Sequence, residues 1–159
     1  MNDPFRLDRF LIAQDTDAVY ERALSELRAG RKATHWMWFV FPQLESLGQS
    51  ATSQTYAIRS LAEARAYLRD PVLGRRLVEC AGILAALRGF GAQQIFGAID
   101  AMKLRSSMTL FARAAPRENV FTQVLSDYFD GEPDPATEAL LDEPQSGAQG
   151  PTPPTRSIE

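Results

Sequence analysis

Apolar residues recur at three- and four-residue intervals along most of this chain, the period of a helix that buries one side. Leu7, Phe10 and Leu11 set that period over Phe5 to Gln14. Val19, Ala23, Leu24 and Leu27 repeat it in a second segment, which Asp15 or Thr16 can cap and Gly30 would end. Ser60 with Glu63 has the spacing of a capping box ahead of a helix to Arg69. Asp70-Pro71 then supplies an N-cap and a first-turn proline for a helix to Leu87, striped by Leu73, Leu77, Cys80 and Leu84. Further helices are predicted over Ile99 to Ala115, Val120 to Phe129, and from Asp134-Pro135 to Leu141. Only Trp36 to Phe41 carries a strand signal, through its aromatic content, and its position behind Thr34 favours a short helix instead. The expected fold is therefore all-α, a compact single-domain helical bundle of about seven to eight helices.

The domain is expected over residues 1–142. From Glu143 the sequence EPQSGAQGPTPPTRSIE has four of the chain's 10 prolines and almost nothing apolar, so residues 143–159 are predicted to form a flexible, disordered tail. With 159 residues the chain is long enough to bury a core without metal or disulfide staples. One cysteine, Cys80, excludes an internal disulfide, and one histidine, His35, leaves too few soft ligands for structural zinc. No metal and no cofactor are expected. Asp3, Arg6, Asp8 and Arg9 break up any leader-like start, and no apolar run approaches the roughly 18 to 20 residues of a membrane span. A cytoplasmic protein without a membrane partner is the expectation.

The formal net charge of −3 hides an uneven distribution. Arg59 to Arg117 contains 10 basic and four acidic residues, whereas Glu118 to Asp142 contains no basic residue and seven acidic ones. The acidic block can neutralise the basic one internally and would repel nucleic acid, which argues against a nucleic-acid partner.

Two segments carry candidate chemistry. Arg31 to Gln43, RKATHWMWFVFPQ, gathers both tryptophans, two phenylalanines and the one imidazole. Such a run is either core or the wall of a pocket in which Trp36 or Trp38 stacks a planar group, His35 moves protons and Gln43 offers an amide. In IFGAIDAMKLRSSMTLF, Asp100, Lys103 and Ser107 fall at i, i+3 and i+7 with Ser106 adjacent, a polar stripe on an apolar helix. Asp100 is expected to pair with Lys103, and the stripe is either that structural ion pair with helix-capping or back-bonding serines or a site where Lys103, Ser106 and Ser107 meet an anionic ligand. Serine activation is disfavoured because lysine precedes serine here, the reverse of the lactamase order. A hydroxyl-rich linker, Gly48 to Ile58, adds Tyr56 as a lining residue. It carries neither a Walker nor a GxGxxG spacing. Cys80 reads as a buried, inert thiol.

The blocks GRKATHWMWFVFPQLESLG, YAIRSLAEARAYLRDPVLGRRL and IFGAIDAMKLRSSMTLF resemble, in order, the bacterial and fungal family known as domain of unknown function 1810. The resemblance spans roughly Phe5 to Leu141 and implies a mainly helical single domain. It implies no activity, substrate or catalytic residue; the name calpastatin carried by some similar proteins has no inhibitory repeat here to support it.

These readings converge on a domain that binds a polar or anionic small molecule, of the nucleotide or nucleotide-sugar class. Its enzymatic form would be a hydrolase or transferase using His35, Asp100 or Lys103. The alternative is a non-catalytic interaction module that docks a partner protein, or a second copy of the chain as a homo-oligomer, through the aromatic 35–43 segment.

Overall fold

The computed structural model describes residues 3–45 and 50–142. The expected tail and the start of the Gly48 to Ile58 linker lie outside the described residues. Helices α1 (Asp8–Asp15) and α2 (Val19–Ala29) precede a short turn of helix, α3 (Met37–Val40), and another, α4 (Ala51–Thr55). The longer helices α5 (Leu61–Arg69), α6 (Leu73–Ala86), α7 (Ala92–Ala114), α8 (Val120–Phe129) and α9 (Pro135–Asp142) complete the order. Among the described residues no strand forms, and the sole extended pairing is an isolated parallel bridge between Leu44 and Ile58. The fold is all-α.

Helix α7 is the spine, packed on α5, α8 and α9, while α6 lies across α5, α8 and α2 and α1 closes over α2 and α3. A chain of rings runs through the core: Phe10 against Tyr67 (5.1 Å), Tyr67 against Phe111 (5.4 Å) and Phe111 against Phe121 (5.9 Å). Edge-to-face and tilted contacts of this kind add to the burial of each ring. Trp36, Phe41 and Phe96 form a second aromatic group, with centroids 6.3 to 6.4 Å apart.

Several helix signals act as expected, and others are corrected. Asp70 Oδ1 accepts the amides of Val72 and Leu73, and Asp134 Oδ2 accepts the amide and hydroxyl of Thr137. Ser60 Oγ accepts the Glu63 amide, but the Glu63 carboxylate does not complete the capping box. It accepts the Arg59 amide and pairs with Arg9 at 2.9 Å, because the Arg9 guanidinium sits in this corner and binds the carbonyls of Phe5, Arg6, Thr55 and Ala57 as well. Thr16 does not cap α2: its hydroxyl donates back to the Ile12 carbonyl, and Asp17 and Ala18 turn left-handed (φ +56°) to swing the chain into α2. The linker before Ile58 contains α4, begun by Ser50, whose hydroxyl accepts the Ser53 amide.

Helix α7 begins at Ala92 rather than Ile99, with Gln94 Oε1 accepting the Gly91 amide. Gly97, at φ +80° and ψ +165°, interrupts it, a conformation open to glycine and costly for other residues. The acidic C-terminal block folds back onto basic residues, Arg113 pairing with Glu138 (3.3 Å) and Asp142 (2.8 Å) and Arg105 with Glu132 (3.6 Å).

Candidate functional site

Helix α2 ends at Gly30, whose left-handed φ of +73° lets the Arg31 amide return to the Glu26 carbonyl. Lys32 then donates its backbone amide to the Ile95 carbonyl at 2.7 Å, which ties the loop to the first turns of α7. Glu26 sets the path of the chain from Ala33 to Trp36. Its Oε1 accepts from the amides of Ala33 and Thr34 and from the Trp36 indole, and its Oε2 accepts from the Thr34 hydroxyl. Burial alone would raise the pKa of this carboxyl, but the four donors outweigh it and hold the value at about 2. The loop is thereby wrapped around an anion, Trp36 is drawn into the core at 1% exposure, and His35 is left exposed.

The loop and α7 enclose an open cleft of about 360 Å³, lined by Lys32, His35, Trp36, Met37, Trp38, Phe39, Thr52, Asp100 and Lys103. Asp100 stands between two ammonium groups, with Lys32 Nζ 2.8 Å from Oδ2 and Lys103 Nζ 3.2 Å from Oδ1. Burial works against its charge, and the two lysines hold its pKa below the ordinary carboxylate value. Lys32 Nζ also donates to the Thr34 carbonyl and lies 5.1 Å from the Trp36 ring centre, while Lys103 Nζ lies 4.1 Å from that of Trp38.

His35, Trp36, Trp38, Asp100 and Lys103 thus meet in one place, although Trp36 presents almost no surface there. Gln43 and Tyr56 sit apart, in a crevice of about 10 Å³ that shares only Trp38 with the cleft. Room for one water is all it offers. Tyr56 packs edge-on against Phe39 at 4.7 Å. Ser106 and Ser107 do not line the cleft. Both are buried, Ser106 donating to the Met102 carbonyl, and Ser107 Oγ having no hydrogen-bond partner among the described residues. Cys80 is buried, and desolvation pushes its thiol up to about 12. Lys32 and Glu26 join the site without having stood out in the sequence. A carboxylate in the last turn of α2, where the macrodipole disfavours it, was the available signal for Glu26.

A model of proteins of unknown function, DUF1810, matches residues 4–141. The chain belongs to the DUF1810 family. Among solved structures it is similar to the conserved hypothetical protein Rv1873 from Mycobacterium tuberculosis, with 50% identity and a TM-score of 0.86 over 89% of this chain and 100% of that one. No curated protein matches it. For this DUF1810 member, no helix among the described residues is long and apolar enough to cross a membrane, and no cluster of three or more His, Cys, Asp or Glu residues is placed to hold a metal.

Proposed function

We propose that this DUF1810 protein binds a small anionic molecule, of the nucleotide or nucleotide-sugar class, in the cleft between the 32–39 loop and α7. One observation carries the reading: the Lys103 ammonium, partly open to solvent, sits over Trp38 beside the exposed His35 in a concave site of ligand-binding size. Asp100 is committed to both lysines through both of its oxygens, so it orients charge rather than moving protons. In a hydrolase or transferase form, acid or base work in this cleft falls to His35. A buried lone cysteine fits a reducing cytoplasmic setting.

The aromatic run gives less support to a docking module, since Trp36, Met37, Val40 and Phe41 are spent on the core. What favours that second reading is the exposed pair Ile99 and Met102, adjacent in sequence to Asp100 and Lys103 on α7. A thermal-shift screen against nucleotides, sugar phosphates and small organic anions, run on wild type and Lys103→Met, tests the first reading. A ligand at about 100 times its Kd adds roughly 2.7 kcal/mol, a shift of several degrees. A shift in wild type that is lost in Lys103→Met is expected. Equal shifts in both proteins would overturn the cleft as the site.

A further inference from the structure

Lys32 and Lys103 share one carboxylate but differ in how firmly they are held. The Lys32 side chain is 7% exposed, donates a hydrogen bond to the Thr34 carbonyl at 2.6 Å and pairs with Asp100 Oδ2 at 2.8 Å, besides lying over the Trp36 ring. An ammonium has three donors, so little of this one is left to offer. Lys103 is 22% exposed, and among the described residues its ion-pair partner is Asp100 Oδ1, at the longer distance of 3.2 Å.

We infer that Lys103 is an exchangeable ammonium. On arrival of an anionic group it turns from Asp100 to the ligand, while Lys32 keeps Asp100 ionised and paired. This rests on the small-anion reading above and deepens it. Without Lys32, the departure of Lys103 would strand a half-buried carboxylate beside an incoming anion, a costly combination of desolvation and like-charge repulsion. With Lys32 in place, the same motion leaves one satisfied ion pair and frees one cation. Lys32 is therefore a positioning residue, acting on the ligand through Asp100.

The chemical class of the ligand is set by the charge balance. Lys32, Lys103 and Asp100 together leave one net positive charge in the cleft, with His35 at its side. That charge can engage one terminal anionic group: a carboxylate, which it balances, or a phosphate monoester, whose charge of about −1.5 to −2 at pH 7 it offsets in part. A di- or triphosphate brings charge for which the lining holds no second exchangeable lysine. The exchange therefore narrows the reading above to monoesters, such as nucleoside monophosphates, and sets aside nucleotide-sugars, whose linkage is a diphosphate.

The test uses the full-length protein labelled with 5-fluorotryptophan, so that fluorine NMR reads Trp38 under Lys103. The probes are inorganic phosphate and pyrophosphate at fixed ionic strength, each taken to tens of millimolar. In wild type, phosphate is expected to move the Trp38 resonance and to bind at least as tightly as pyrophosphate. Lys103→Met should weaken phosphate at least tenfold. Lys32→Met should weaken it at least fivefold more than Arg31→Met, which removes the same charge from an exposed neighbouring position and controls for long-range attraction. Asp100→Asn, which releases Lys103 outright, should bind phosphate at least threefold more tightly. It also keeps the test decisive if Lys32→Met does not fold. Equal effects of Lys32→Met and Arg31→Met, weaker binding by Asp100→Asn, or a clear preference for pyrophosphate would each overturn the exchange while leaving the anion site standing. No response to either probe in wild type, or an undiminished one in Lys103→Met, would overturn the site itself and the exchange with it.

Discussion

Replacing Glu26 with glutamine removes one charge from the loop that frames the cleft and keeps its shape. The amide oxygen can still accept from the Ala33 and Thr34 amides and from Trp36 Nε1, now at 2.7, 3.0 and 2.8 Å, and the amide nitrogen can face the Thr34 hydroxyl. What is lost is charge assistance, which roughly doubles the worth of a hydrogen bond. The same four donors lower the pKa from an ordinary 4.5 to about 2, which gives a second route to the magnitude. At 1.36 kcal/mol per unit that shift corresponds to about 3 kcal/mol, and solvent access to the carboxyl reduces the expectation to about 2 kcal/mol. Linkage fixes the sign. A carboxyl whose folded pKa lies below its unfolded one stabilises fully above about pH 4.5, and that stabilisation is lost as pH falls through about 2. Urea unfolding should therefore place Glu26→Gln about 2 kcal/mol below wild type at pH 7, with the gap shrinking by about half at pH 3. A gap under about 0.5 kcal/mol at pH 7, or one that stays constant down to pH 3, would refute the assignment of Glu26 as the ionised centre of this loop.

Gly74→Ala should be among the most damaging single substitutions in the bundle, because an added Cβ would lie 2.0 Å from the Leu68 carbonyl oxygen where α5 and α6 meet. A loss of about 3 kcal/mol or more by chemical denaturation is expected, and a loss below about 1 kcal/mol would mean the two helices can separate cheaply. Ser107→Ala removes a buried hydroxyl that has no partner among the described residues, so it should be neutral or stabilising by up to about 1 kcal/mol; clear destabilisation would reveal a hydrogen bond at that position. The Cys80 thiol, buried and with its pKa raised to about 12, should react with a soluble disulfide reagent only at the rate of global unfolding. Rapid labelling of folded protein would show local opening of α6.

Features local in sequence were legible, and those that depend on distant partners were not. The three- to four-residue period gave α8 its bounds, Val120 and Phe129, and the Asp70 and Asp134 caps were equally plain, because each rests on atoms a few residues apart. The Asp100 to Lys103 ion pair was legible for the same reason. Ser107 shares the face of Asp100 by spacing, yet spacing is silent about depth: the face that opens onto the cleft at Asp100 is covered by bundle neighbours two turns later. Lys32 reaches Asp100 only because Gly30 reverses the chain and the Lys32 amide finds the Ile95 carbonyl, two events with no local periodic signature.

The break at Gly97 adds a further reason why Asp100 behaves as a fixed charge. With φ at +80° the helix is interrupted there and resumes at Ala98, which puts Asp100 in the first turn of the resumed helix. Amides in a first turn lack intrahelical acceptors and the macrodipole favours a negative charge beside them. Had α7 run straight from Ala92, Asp100 would lie in its third turn without that contribution. Helix terminus, Lys32 and Lys103 all stabilise the same ionisation state, and each opposes protonation near neutral pH. A group held so firmly in one state is poorly suited to take up and release a proton in each turnover. It is well suited to hold a lysine in place until a stronger anion arrives.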